Sequence, residues 1–260
     1  MLLRKCRALD RMRAGEVINC YKFNLDGSRT VQLAGLAGFD CLWTDMEHTP
    51  NSITLIEQQV VSAKACGMDI IVRVKRGSYS DLVAPLEMDA AAIMVPHVMT
   101  AAEAQGIARM TKFHPVGRRP VDGGNADGAF TLVPFTEYAE FVNKNRMVIV
   151  QIEDPEAMDE LEGICAVEGL DMIFFGPGDY SHALGIPGQM RHPEVEKARI
   201  KVAECARRHG KLAGTTGSTE TFNEYAAMGY NLINIGADVL GLCGYCKDLV
   251  KRMAEVRAQR

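Results

Sequence analysis

The chain reads as α/β, a single (β/α)8 barrel, on three observations: short apolar runs alternate with helical stretches, there are eight such runs, and 260 residues match one barrel. The runs fall at 17–22, 41–44, 70–74, 92–95, 147–152, 172–175, 212–215 and 232–235. Each is rich in Val, Ile, Leu or Phe without strict alternation, as strands covered on both faces require. Helical segments are expected at 52–65, 101–111, 157–166, 193–208 and 219–228. Pro155 and Pro193 sit where a first helical turn tolerates proline, and Gly67, Gly169, Gly210 and Gly229 sit where helices end. Two further helices are expected at about 3–13 and 245–260, both suited to assembly. The segment 113–134 is rich in Gly, Arg, Asp and Asn and longer than a barrel needs, which marks a binding or mobile loop.

Composition narrows the class. Hydrophobic residues make up 47% and charged residues 24%, ordinary for a soluble protein, and the net charge of −4 gives no pull toward nucleic acid or anionic membrane. No apolar stretch approaches a membrane span, and the basic start lacks the apolar core of a signal peptide, so a cytoplasmic protein is expected. The eight cysteines are scattered, consistent with reduced, buried thiols; the close pair Cys243 and Cys246 lies in a late helical segment, outside the context of a redox motif.

In such a barrel the chemistry sits where strands end and loops begin. Those positions hold Asp45, Glu47 and His48 after the second strand and Arg73 at the end of the third. Gln151, Glu153 and Asp154 close the fifth, Gly176–Asp179 follow the sixth, and Thr215, Thr216, Asn234 and Asp238 end the last two. Two carboxylates from neighbouring strands, Glu153 and Asp179, suit a divalent cation such as Mg2+ or Mn2+, with open positions for substrate oxygens. A 2-oxo acid binds such a cation through its carboxylate and keto oxygens, and Arg73 donates to the same oxygens as charge develops. Backbone N–H groups around Gly178 can hold the carboxylate, and His48 titrates in the range needed to move a proton, directly or through water.

Each residue has a plainer reading. Asp179 can serve as a helix cap and Glu153 as an ion-pair partner; His97, His114, His182, His192 and His209 read as structural. The segment Gly214–Ser218 matches a phosphate-binding turn and equally a simple polar turn. What favours a site is the convergence of acids, histidine and arginine on one barrel end.

The chain also resembles the HpcH/HpaI aldolase family of pyruvate- and phosphoenolpyruvate-binding barrels. The resemblance is carried by Gly38 through His48, Ile71-Val72-Arg73, Met94-Val95-Pro96, Gln151-Ile152-Glu153, Phe174 through Asp179, Leu184-Gly185 and His192 through Val195. It implies a carbon–carbon lyase that reversibly cleaves a 4-hydroxy-2-oxo acid into pyruvate and an aldehyde. It implies Glu153 and Asp179 as ligands for Mg2+, Mn2+ or Co2+, Arg73 on the enolate, and His48 in proton transfer, oriented by Asp45. Glu87 falls where members carry an acid that assists this histidine, and Gln151, Gly178 and Arg119 join the substrate-binding set. A homo-oligomer is implied, a hexamer with exchanged C-terminal helices. The sequence departs from the family in the loop from Gly117 to Phe130, where Pro120 and Asp122 replace glycines and Asp127 falls near an expected arginine. Val74 replaces a proline. An acid at Asp127 argues against a second substrate carboxylate, or for hydroxyls. Decarboxylation of oxaloacetate, another use of the same enolate, and a non-catalytic binding barrel remain open at this level.

Overall fold

The computed structural model describes residues 2–259. Its eight strands are β1 (Ile18–Phe23), β2 (Cys41–Asp45), β3 (Asp69–Arg73), β4 (Ala92–Val95), β5 (Met147–Ile152), β6 (Met172–Phe175), β7 (Leu212–Thr216) and β8 (Leu232–Ala237). All neighbours pair in parallel, and β8 returns to β1, closing the barrel in sequence order. The expected fold is the observed one.

The helices are α1 (Arg7–Arg13), α2 (Ser28–Ala37), α3 (Ile53–Ala65), α4 (Tyr79–Glu87), α5 (Ala101–Thr111) and α6 (Phe135–Asn145). They continue as α7 (Leu161–Ala166), α8 (Pro177–Ala183), α9 (Pro193–Arg208), α10 (Phe222–Met228) and α11 (Asp238–Ala258). Local chemistry fixes their ends. Ser52 accepts from Leu55 N at 3.2 Å to start α3, and Thr100 with Glu103 forms a reciprocal cap on α5. Gly229 stops α10 with φ of 104°, a conformation that penalises any Cβ.

Several boundaries differ from expectation. The stretch 157–166 divides into a 3-10 turn at Pro155–Met158 and the short α7, because Pro155 sets a tight first turn. The first helix begins at Arg7, after Cys6 caps it, and α10 begins at Phe222 because Ser218 and Thr221 hydrogen-bond each other's groups in a turn. The last helix starts at Asp238, seven residues before 245 (245 − 238 = 7), so Cys243 and Cys246 are exposed residues in its middle.

Two apolar layers follow from the strand alternation. Ile18 and Cys20, Trp43, Ile71, Met94, Ile149, and Met172 with Phe174 fill the barrel interior, together with Ala8, Leu9 and Met12 of α1. The alternate residues, among them Leu42, Ile70, Val72, Val148, Val150, Ile173 and Phe175, pack outward against the helices. Helix α1 therefore spends its apolar face plugging the N-terminal end of its own barrel, where Ala8 N donates to Asp69 Oδ2 at 2.7 Å. The interior series then runs upward on each strand to polar residues: Ile18, Cys20, Lys22 on β1; Trp43, Asp45 on β2; Ile71, Arg73 on β3; Ile149, Gln151, Glu153 on β5 and beyond. The C-terminal mouth is thereby polar by parity alone.

Among the described residues no helix is long and apolar enough to cross a membrane.

Candidate active site

Asp45 and Arg73 end adjacent strands in direct register. Arg73 Nε donates to Asp45 Oδ1 at 2.9 Å and Nη2 to Asp45 Oδ2, while Nη1 lies 2.9 Å from Glu47 Oε2. Burial alone raises the Asp45 carboxyl, but the guanidinium bond and charge, aided by Lys22, bring it down to about 2. The Asp45 carbonyl is tied in turn by Thr49 and by Asn51 Nδ2 at 2.8 Å, so the β2 turn holds the fork rigidly.

Across the mouth, Glu153 is fully buried just beyond β5. Its Oε1 accepts the His97 backbone N–H at 2.9 Å, and its Oε2 accepts from Gln151 Nε2. Burial pushes the Glu153 carboxyl up to about 7; His97 and Arg73 oppose this, and the neighbouring Asp179 carboxylate adds to it. Gly176 is obligatory here because a Cβ would stand 2.5 Å from Glu153 Oε2. Asp179 is exposed in the first turn of α8, whose N1 position is Pro177. The space around Gly178 is open, and the first-turn N–H groups of Gly178 and Asp179 have no acceptor within their own helix.

These features fit a divalent cation. A fully buried carboxylate beside a second one, with no lysine or arginine bonded to either, is the arrangement that a cation stabilises and a proton otherwise must. Among the described residues the one group of three close His, Cys, Asp or Glu ligand atoms is Glu162, Cys205 and His209, on the outer helices α7 and α9. At the mouth, Glu153 and Asp179 could supply two oxygen ligands, with the remaining positions open to substrate and solvent.

Of the expected residues, the structure brings together Asp45, Arg73, Gln151, Glu153, Gly178 and Asp179 at the C-terminal end. His48 stands at the rim, half exposed, with Nε2 3.5 Å from Glu47 Oε2. Asp45 does not orient it; Asp45 is committed to Arg73 and Lys22, and Glu47 is the acid beside His48.

Glu87 and Arg119 lie elsewhere. Glu87 ends α4 at the N-terminal end of the barrel, where its carbonyl accepts Asp127 N at 3.2 Å. Arg119 is buried under Phe113 and bonds Asp127 Oδ2 and the Tyr138 hydroxyl at 3.0 and 3.2 Å. Asp127 also accepts from Arg146 Nε at 2.7 Å, and Arg146 reaches Asp89. Arg119, Asp127, Arg146 and Asp89 form a buried ionic network under the barrel with Glu87 beside it, so within this chain neither Glu87 assists His48 nor Arg119 meets substrate. Asp127, committed to two arginines, gives no information about the substrate's charge. The turn Gly214–Ser218 is likewise internally satisfied: Gly217 N donates to Asn234 O at 2.8 Å and Ser218 N to Thr221 Oγ1 at 2.9 Å.

Two side chains in the mouth were missing from the sequence reading. Lys22 lies 3.1 Å from Asp45 Oδ2 and over the Trp43 ring. His97, expected to be structural, places Nδ1 2.9 Å from Asp154 Oδ2 and Nε2 3.6 Å from Glu47 Oε1, on a backbone with φ of 52°. A left-handed non-glycine residue is costly and is held here by the Glu153–His97 N–H bond. Burial lowers the imidazole pKa, but the Asp154 bond and the surrounding carboxylates outweigh it and raise it. Strand parity would have found Lys22, two positions after Cys20 on an inward face; nothing local to Pro96-His97-Val98 announces the loop geometry.

Comparison with known proteins identifies the family. The HpcH/HpaI aldolase/citrate lyase family profile matches residues 24–243. The chain belongs to the HpcH/HpaI family. Membership makes it an enzyme, a carbon–carbon lyase of the aldolase kind. Among its family relatives, the 5-keto-4-deoxy-D-glucarate aldolase of Klebsiella pneumoniae is 34% identical over 211 residues, covering 81% of this chain and 82% of the relative. The hydroxypyruvate/pyruvate aldolase of Pseudomonas aeruginosa is 31% identical over 247 residues, covering 95% and 92%. A crystal structure of an HpcH/HpaI aldolase from Desulfitobacterium hafniense superposes with a TM-score of 0.89 at 28% identity, covering 95% of this chain and 96% of that one.

Proposed function

We propose that this family member reversibly cleaves a 4-hydroxy-2-oxo acid to pyruvate and an aldehyde, with Mg2+, Mn2+ or Co2+ held by Glu153 and Asp179. The observation that carries this reading is the make-up of the mouth: a buried carboxylate, Glu153, with the exposed Asp179 beside it, shares the barrel end with an arginine locked on an aspartate. When bound, the cation supplies a Lewis acid for the carboxylate and keto oxygens of the 2-oxo acid.

The chain's own residues do the rest. The Gly178 and Asp179 N–H groups and Gln151 line the pyruvyl end. Arg73, fixed by Asp45, donates to the C2 oxygen as the C3–C4 bond breaks and its electron pair moves toward that oxygen. His48, on the rim, accepts the C4 hydroxyl proton, and protonation of C3 then releases pyruvate. His97 has the geometry to share this proton traffic, with Asp154 holding one ring nitrogen and the other turned toward Glu47.

We place assembly on α11. Leu240, Leu242, Leu249, Val250, Met253 and Val256 are all exposed along it. An apolar groove of about 460 Å³ between Tyr21, Leu25, Leu33, Phe39 and Leu242 lies beside its first turns. Apolar surface on this scale calls for a partner, and a second copy's α11 supplies a matching one, consistent with a homo-oligomer such as a hexamer.

The test is pyruvate release from racemic 4-hydroxy-2-oxo acids by protein loaded with Mg2+, Mn2+ or Co2+. Release that stops on chelation and returns with metal is expected. Turnover of oxaloacetate in the absence of any aldol cleavage would contradict the proposal and favour decarboxylation.

A further inference from the structure

The cation that would read a second negative group on the substrate is not in the 117–130 loop of the same protomer, where Arg119 is sealed against Asp127 and Tyr138 and Arg118 bonds the Gly117 carbonyl beside the C-terminal end of α5. We propose that Lys22 fills that role: it selects substrates whose aldehyde half carries a carboxylate. This rests on the aldolase reading above.

The placement follows from the barrel. In a closed eight-strand ring, β1 stands opposite β5. A substrate whose pyruvyl end lies at Glu153 and Asp179 therefore extends across the mouth toward β1 and β2. Lys22 is the last inward residue of the β1 series, above Ile18 and Cys20, and its side chain is 17% exposed. It opens on the mouth and not on the outer surface.

Its bonding leaves donors free. Nζ makes an ion contact with Asp45 Oδ2 at 3.1 Å and stacks 4.8 Å from the Trp43 centroid, but Asp45 already receives two bonds from Arg73. The other charges facing it are Arg73 and Glu47, and Glu47 is itself engaged with Arg73. Burial, and next the repulsion from Arg73, push the Lys22 ammonium below its usual range. An arriving carboxylate relieves both effects and gains a charge-assisted bond. An uncharged aldehyde of the same length gains neither. The Trp43 ring under Nζ and the Asp45 contact together give the ammonium a preferred position.

The experiment runs the reaction in the condensation direction with the Mn2+-loaded enzyme and pyruvate. Glyoxylate is compared with glycolaldehyde, and succinic semialdehyde with butyraldehyde, so each pair differs in the carboxylate at matched length. Wild type is expected to favour the charged member of at least one pair by tenfold or more in kcat/KM. Lys22→Met is expected to erase most of that ratio, chiefly through KM for the aldehyde, and Lys22→Arg to keep it. Circular dichroism of each variant separates loss of fold from loss of selectivity. Equal losses on charged and uncharged aldehydes in Lys22→Met, with no change of ratio, would overturn the proposal and make Lys22 a support for Asp45. A wild type that exchanges pyruvate methyl protons yet shows no preference for carboxylates would overturn it while leaving the aldolase reading intact. A wild type that neither exchanges nor condenses would overturn both.

Discussion

Arg73 and Asp45, the last residues of neighbouring parallel strands, meet in register and form a two-bond ion pair in the floor of the barrel mouth. A guanidinium so fixed cannot reorient when the C2 oxygen gains charge, which is what preorganised stabilisation requires. Arg73→Lys and Asp45→Asn are each expected to lower pyruvate enolisation by about two to three orders of magnitude, since one preorganised donor is worth roughly that much. The lysine variant retains charge but loses the fork, so its failure separates geometry from charge. Proton exchange at the pyruvate methyl, followed by NMR, is the measurement.

The same pair predicts an acid-stability signature. The Asp45 carboxyl is held at about 2 in the fold against an ordinary value of 3.8. A lowered folded pKa gives stability that is present above the unfolded value and is lost as pH falls through the folded one. The window is therefore about pH 4 down to 2, and the contribution is about 2 kcal/mol. Denaturant titrations across that range should show a steeper slope in wild type than in Asp45→Asn, the other lowered carboxyls, such as Glu162, contributing equally to both; identical slopes would contradict the assignment.

Glu153→Gln should separate metal binding from folding. Replacing a buried carboxylate by its neutral isostere removes a desolvation penalty, so metal-free stability is expected to hold or rise by about 1 kcal/mol. Mn2+ is expected to raise the Tm of wild type, and in Glu153→Gln that rise should vanish. A variant that keeps the Mn2+ shift would place the cation elsewhere, and the Glu162–Cys205–His209 group on the outer helices would be the next position to examine.

The network beneath the barrel predicts the opposite pattern. Asp127 joins Arg119 and Arg146 in full burial, and removing one partner of such a network costs about 3–5 kcal/mol. Asp127→Ala should therefore lower the unfolding midpoint sharply while the folded enzyme keeps its KM within about twofold. A selective rise in KM at unchanged stability would return this loop to substrate recognition.

Along α11, Leu249→Asp combined with Val250→Asp puts two charges into the exposed apolar stripe. Sedimentation velocity should show a smaller species than wild type. An unchanged distribution would remove α11 from assembly.

Much of this was legible in sequence because parallel strands covered on both faces advertise themselves as apolar runs. The eight runs coincide with the eight strands to within two residues at their ends. The acids and arginine of the proposed site stand out for a related reason: Asp45, Arg73 and Glu153 end apolar runs or follow them directly, and Asp179 lies in the short turn after one. What was not legible depends on side-chain direction. Lys22 looked like the end of a strand, and only inward parity reveals that it enters the mouth. Arg119 and Asp127 sit in a Gly-rich stretch with the look of a binding loop; their mutual pairing under Phe113 is a tertiary fact that spacing does not encode. Glu87 matched by position along the chain but closes α4 at the wrong end of the barrel, since a helix returns antiparallel to the strands it connects.

The central claim is that Arg73 and a divalent cation at Glu153 and Asp179 together generate the pyruvate enolate. It is tested most directly by solvent-deuterium incorporation into the pyruvate methyl group, with no aldehyde present. The account predicts incorporation by wild type that requires added Mg2+, Mn2+ or Co2+ and is abolished in Glu153→Gln. Incorporation that proceeds equally in Glu153→Gln, or none in fully metal-loaded wild type, would contradict it.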